Sequence, residues 1–324
     1  MMEDGASFGL ATLRAGSSHQ AAIVSGGRVH ALAQLGEPRS VLQLLEDWEQ
    51  ALPGLQQLAR NLPANAAGIA LDEARLAAPY IPRQVFCTGA NYRKHVIGLI
   101  LGDPSMRAPG QENLPPEELR ARAERIMDER AGADPYCFIK LPSCVVGPQD
   151  QVVLPRNVKK PDWELELGVV IGRRTRHVSP EQAMDHVAGF AVVNDVTARE
   201  QVFRRDNGGL GADWLSGKCF PTFLPFGPML VPRDLVPDPY KLNIRLAVNG
   251  KVYQDESTAD MLISIERQIA YLSDRVVLMP GDLICTGSPY GNGAAFGVIL
   301  APGDLMEGTI SGLGTQRNRC VAEE

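Results

Sequence analysis

The stretch from Pro161 to Gly172, reading PDWELELGVVIG, constrains the fold of this chain more than any other. Leu165–Ile171 is apolar and rich in β-branched residues, which predicts a strand. Side chains on a strand alternate, so Asp162, Glu164 and Glu166 project to one side and Trp163, Leu165 and Leu167 to the other. Carboxylates held in this way repel one another unless a cation lies between them. A second apolar run, Gly189–Val193, ends in Asn194-Asp195 and offers a third carboxylate. Three carboxylates with no nearby His or Cys form the ligand set of a hard ion. Mg²⁺ is the expected ion, with Mn²⁺ or Ca²⁺ also suited. Glu-x-Glu alone is more often the solvated face of a strand, so the metal reading needs support from the rest of the chain.

That support comes from a succession of short motifs. VFCTGANYRKH ends at His95, FIKLPSCVVGP spans 138–148, NDVTAR spans 194–199 and GKCF spans 217–220. VNG at 248–250, DEST at 255–258, PGDLICTGSP at 280–289 and GTISGLG at 308–314 follow. Each is weak alone. In this order they closely resemble the fumarylacetoacetate hydrolase family, over about residues 80–318. The resemblance implies an α+β, β-rich fold: a mixed β-roll or barrel-like catalytic domain over 79–324 behind a small N-terminal α+β domain over 1–78.

The local patterns agree. Phe8–Leu13, Gln20–Ser25 and Arg28–Leu35 read as short strands, with Gly26-Gly27 at a hairpin turn. Leucines and Trp48 between 40 and 61 predict one or two amphipathic helices broken at Pro53-Gly54. Beyond residue 80, short β runs punctuated by Gly and Pro argue for a curled sheet rather than a doubly wound fold. Residues 103–135 hold a charged helical stretch, Pro116–Arg130, an insertion placed to act as a lid or a subunit contact; a solvated surface excursion is the plain alternative.

Composition excludes several classes. A net charge of −6 with dispersed Lys and Arg offers no basic stripe for nucleic acid. Six cysteines sit singly and without a CxxC, which predicts reduced thiols in a cytoplasmic protein. The acidic start carries no signal-peptide pattern, and no apolar run approaches the ~20 residues of a membrane span.

The resemblance assigns the remaining site residues. His95 falls on the family's general base, a task suited to imidazole, while His19, His30, His177 and His186 read as structural or surface residues. The family often carries a Glu three residues later, where this chain has Gly98. Lys218 falls on the lysine beside the metal and is expected to be catalytic with His95. Lys140, sunk in apolar sequence, needs an anionic partner. Arg199 is placed to clamp a substrate carboxylate, although Val202 stands where the family commonly has Gln. Thr286 and Ser288 lie in a loop expected to hold a ligand oxygen, and Tyr92 is a further ligand contact. Ordinary turn chemistry would explain that loop equally well.

The expected reaction is Mg²⁺-dependent hydrolysis of a carbon–carbon bond in an acylpyruvate-like β-diketo or 2-oxo acid. Decarboxylation and enol–keto isomerisation use the same parts, and an inactive ligand-binding member is the reading that Gly98 favours. The family implies a homodimer, or a dimer of dimers.

Overall fold

The computed structural model describes residues 7–16, 18–63, 66–102, 114–203, 206 and 210–324. At the N-terminus, strands Gly9–Ala15, Ser18–Ser25 and Arg28–Ala31 form antiparallel hairpins. Gly26 and Gly27 both have positive φ, 56° and 74°, as the two-residue turn between Ser25 and Arg28 requires. Ile69–Ala70 and Leu76–Ala77 complete this five-stranded sheet at its two edges. The third strand is shorter than expected, because Leu32–Leu35 turns into a 3₁₀ helix closed by left-handed Gly36.

Helix α1, Val41–Glu46, starts from a capping box between Ser40 and Gln43. Helix α2, Trp48–Asn61, follows at once. The break therefore falls at Asp47, and Pro53 lies inside α2. Burial of Trp48, Ala51, Leu55 and Ala59 along one face of α2 outweighs the hydrogen bond that the proline removes.

The chain then enters a six-stranded mixed sheet, ordered Val231–Pro232, Val187–Asn194, Leu165–Ile171, Leu283–Cys285, Val85–Gly89 and Tyr136–Lys140. The predicted strand Leu165–Ile171 lies inside it and is buried along its whole length. Leu165, Leu167, Val169 and Ile171 face a core shared with Ile244, Leu246, Met306 and Ile310 of a second five-stranded sheet. Val170 faces another core that includes Phe8, Leu44 and Trp48 of the N-terminal part. With apolar layers on both sides, the acidic residues of this strand are buried rather than solvated.

Helix α3, Arg93–Gly102, and helix α4, Pro116–Gly132, pack on each other through Ile97, Ile100, Leu119, Ala123 and Met127, a cluster separate from the two larger cores. The charged helix expected in the insertion is thus present, and the leading part of the insertion, 103–113, lies outside the described residues. Arg130 donates to the carbonyls of Gly89 and Ala90 at 3.4 Å, tying the end of α4 to the strand that leads into α3. Among the described residues no helix is long and apolar enough to cross a membrane. All six cysteines are free.

Candidate active site

Strand pairing builds the acidic centre. Leu165 lies opposite Asn194 and Glu166 opposite Val193. This register sets Glu164 beside Asp195, whose backbone N–H donates to the Glu164 carbonyl at 2.8 Å. Asn194 Oδ1 accepts the Glu164 N–H at 2.9 Å. One carboxylate oxygen from each of Glu164, Glu166 and Asp195 then lies within 4.8 Å of the others, and all three residues are buried. Asp162 departs from the simple alternation. It turns away to accept Arg199 Nε at 2.8 Å and the N–H groups of Gly293 and Ala294 at 2.7 and 3.1 Å.

Three cations surround these carboxylates. Lys218 Nζ reaches Glu164 Oε2 at 2.6 Å and also pairs with Asp195. Lys140 Nζ donates to Asp195 Oδ1 at 2.5 Å and to the Val196 carbonyl at 3.0 Å. Arg199 bridges Asp162 and Glu164. Burial opposes charge on Lys218, but Asp195 and Glu164 outweigh it and hold its pKa above the ordinary lysine value. Burial likewise opposes charge on Glu164, and Arg199 and Lys218 pull its pKa well below the carboxylate range.

Glu166 differs from its two neighbours. No cation contacts it among the described residues, and its Oε2 accepts only the Gly287 N–H, at 2.8 Å, among the donors seen there. Burial, followed by the nearby Asp195, pushes its pKa well up. Four buried carboxylates thus face three cations, with the deficit at Glu166. Three converging oxygen donors with an uncompensated negative charge fit a divalent ion. The acidic group can hold such an ion through Glu164, Glu166 and Asp195.

The other expected residues fall around this centre in different ways. His95 sits in the first turns of α3, buried, with Glu164, Arg199, Lys218 and Asn292 acting on it. Burial, reinforced by the positive charge of Arg199 and Lys218, pushes its pKa down to about 4, so it is neutral near pH 7. Lys140 stands behind Asp195. The Thr286 hydroxyl donates to the Leu167 carbonyl at 2.9 Å. The Ser288 hydroxyl donates to the Pro289 carbonyl at 3.2 Å and accepts from Gln254 at 3.1 Å. The loop expected to hold a ligand oxygen therefore has these hydroxyls engaged in fixing its own shape and that of the strand beneath. Gly287 at φ 102° makes the turn possible, since a Cβ there would lie 2.8 Å from Asn91 Cβ. Tyr92 is buried, and its hydroxyl finds no hydrogen-bond partner among the described residues.

Two sequence departures have local causes. Val202 packs against Gly217, where an added Cβ would meet Val202 Cγ2 at 2.3 Å, so this apolar contact seats the helix that carries Lys218. Gly98 lies under the ring of Tyr290, whose Cε2 would be 2.4 Å from an added Cβ. Asn292, also at the site, carried no sequence signal; its amide donates to Glu164 Oε1 at 3.2 Å across 128 residues of chain.

A profile of the fumarylacetoacetate hydrolase C-terminal domain matches residues 84–321. The chain belongs to the fumarylacetoacetate hydrolase family. It is similar to the human protein named oxaloacetate tautomerase FAHD2B, mitochondrial, with 38% identity over 289 residues, covering 88% of this chain and 80% of that one. Among solved structures, it resembles maleylpyruvate hydrolase from Sphingobium sp. SYK-6 in complex with manganese(II) ion and pyruvate. That match has a TM-score of 0.71 and 27% identity over 98% of this chain and 100% of the other. It also resembles 2-hydroxyhepta-2,4-diene-1,7-dioate isomerase from Mycobacterium marinum, with a TM-score of 0.67 and 27% identity over 98% of this chain and 99% of the other. The fold is the α+β fold of this family, and the relatives above are named as a tautomerase, a hydrolase and an isomerase.

Proposed function

We propose that this member of the family is a divalent-metal-dependent enzyme that moves a proton on a 2-oxo dicarboxylic acid such as oxaloacetate, interconverting keto and enol forms. The observation that carries this reading is His95: buried, neutral, and without a carboxylate on its own helix. An imidazole with no carboxylate on its own helix to strengthen it suits a carbon-bound proton made acidic by a polarised oxo group better than it suits water. The name of the human relative supports the same choice.

A divalent ion, Mg²⁺ by expectation, held by Glu164, Glu166 and Asp195 would polarise the substrate's oxo group and stabilise negative charge on it. The chain's own groups divide the remaining work. Lys218, fixed on Glu164 and Asp195, places a positive charge beside the developing oxyanion. Arg199, with its side chain 23% exposed, offers a guanidinium edge to a substrate carboxylate. Lys140 holds Asp195 in place. His95 accepts the proton at one carbon or oxygen and returns it at the other.

Carbon–carbon hydrolysis of an acylpyruvate is the second reading, favoured by the likeness to a maleylpyruvate hydrolase over nearly the whole chain. Assays with Mg²⁺ or Mn²⁺ distinguish the two. The tautomerase reading expects fast equilibration of enol and keto oxaloacetate and slow loss of acylpyruvate absorbance. Fast acylpyruvate cleavage without accelerated enol–keto exchange would establish the hydrolase instead. A homodimer remains part of the proposal, supported by Tyr136, Ile139 and Leu141, exposed at and just beyond the strand on the edge of the six-stranded sheet. Sedimentation should show a particle of twice 35.1 kDa, and a monomer at micromolar concentration would contradict it. Six free thiols support a reducing compartment such as the cytoplasm.

A further inference from the structure

Imidazole can act as a base only if one ring nitrogen is bare and turned toward the substrate, which requires an acceptor to hold the proton on the other nitrogen. Helix α3 does not supply that acceptor one turn after His95. Position 98 is glycine, and the Tyr290 ring fills the space that a side chain there would enter. The loop that carries Tyr290 also carries Asn292, two residues on, fully buried beside the acidic centre.

The Asn292 side chain is fixed in one orientation. Its Nδ2 donates to the Trp163 carbonyl and to Glu164 Oε1, both at 3.2 Å. A carbonyl and an ionised carboxylate only accept, so the amide nitrogen must face them and Oδ1 must face away. That Oδ1 is buried and without a partner among the described residues, on the loop whose Tyr290 lies against Gly98, one turn after His95. Among the groups acting on the imidazole, Asn292 favours its protonated form. The backbone on either side is equally constrained. Trp163 Nε1 donates to the Gly291 carbonyl at 2.9 Å, and the Gly293 N–H donates to Asp162 Oδ1 at 2.7 Å. A Cβ on Gly291 would lie 2.2 Å from the Tyr253 carbonyl oxygen, and one on Gly293 2.3 Å from that of Val298. Two glycines thus press Asn292 into its place.

We propose that Asn292 is the positioning residue for His95: anchored on Glu164 and Trp163 through Nδ2, it accepts the imidazole N–H through Oδ1 and selects the tautomer whose other nitrogen is the base. The inference rests on the reading of His95 as base. It also couples the base to the acidic centre, because a single amide touches both. A neutral amide orients the ring without the negative charge that a carboxylate partner would add, consistent with a proton-transfer enzyme that needs no strong base.

The test uses Asn292→Val, alone and combined with His95→Ala, on the full chain loaded with diamagnetic Mg²⁺. The ¹⁵N shifts of His95, assigned among the five histidines by comparison with His95→Ala, report the tautomer. Wild type should show one tautomer, and Asn292→Val a mixture. In Asn292→Val, kcat should fall about tenfold to hundredfold, the range found for supporting residues around a site, while KM and Mg²⁺ affinity stay within about threefold. In the His95→Ala background the same substitution should change kcat less than about twofold, since residues that act through one another are not additive. Unchanged tautomer in Asn292→Val, or an equal further loss in the His95→Ala background, would overturn the proposal. If Asn292→Val does not fold, Asn292→Ala gives the same readouts. Full activity in His95→Ala would instead overturn the base reading, and the tautomer measurement would still decide whether Asn292 holds the ring.

Discussion

The two halves of the site are built by different means. The acidic half lies on the central sheet, where strand register fixes Glu164, Glu166 and Asp195, and buried Lys140 and Lys218 with partly exposed Arg199 pin two of them. The proposed proton-transfer half is His95, on a helix that packs with α4 through a small cluster of its own. The charges of Glu164, Arg199 and Lys218 act on it from the acidic half, and Asn292, anchored on Glu164, is the link proposed between the two. A centre held by register and buried ion pairs tolerates little rearrangement, whereas a base on a separately packed helix can be re-aimed by a few loop residues. That division accounts for a family in which similar chains are named hydrolase, isomerase and tautomerase.

The division predicts a graded set of losses. Glu166→Ala should have the largest effect, removing divalent-ion binding and activity together, with a loss of kcat/KM on the order of 10⁴ or more in Mg²⁺. The fold should survive, because the substitution removes a buried carboxyl whose pKa is raised and which contacts no cation among the described residues. Near-normal activity of the wild-type protein after exhaustive chelation would break this side of the comparison. His95→Ala comes next, with kcat lowered about 10²–10⁴-fold. Assay on both oxaloacetate and an acylpyruvate sharpens it. A defect on the acylpyruvate alone would mean that metal and lysine suffice for oxaloacetate.

The third prediction concerns pH. His95 has its pKa lowered to about 4, so the unfolded chain takes up a proton that the folded one refuses between the usual imidazole pKa of about 6.5 and that value. The stability associated with neutral His95 is complete above about pH 6.5 and declines as pH falls toward 4. The acid limb of kcat/KM should lie near 4, and a limb at 6–7 would mean that His95 is not the titrating base. The smallest effect is expected at Gly98. Gly98→Ala gains helix propensity but drives Cβ into Tyr290, for a net loss of about 1–2 kcal/mol. Thermal unfolding should show that loss, and Tyr290→Ala in the same chain should reverse its sign.

Sequence alone located most of the sheet-borne half, for a physical reason. Leu165–Ile171 is β-branched, apolar and the right length, and its burial on both faces agrees with all three signals, so its bounds are those of the observed strand. Gly26-Gly27 was equally legible, because positive φ at two successive residues leaves few alternatives. The helix break was not. Pro53 carries the stronger local signal, but the buried face of α2 overrides it and the chain turns at Asp47. Asp162 shared the spacing of Glu164 and Glu166, yet the strand is interrupted after it and it pairs with Arg199 instead. Nothing in the sequence distinguished Glu166 from Glu164, since the difference lies in Arg199 and Lys218, both distant along the chain. Asn292 was invisible for a similar reason: its partners belong to other elements, and an isolated Asn between glycines reads as a turn.

The most direct test of the two-part account is a calorimetric Mn²⁺ titration of the wild type, Glu166→Ala and His95→Ala proteins, each shown to be folded. The account predicts one tight site per chain in the wild type, the same affinity within about threefold in His95→Ala, and no measurable site in Glu166→Ala. Retained binding in Glu166→Ala, or its loss in His95→Ala, would contradict it.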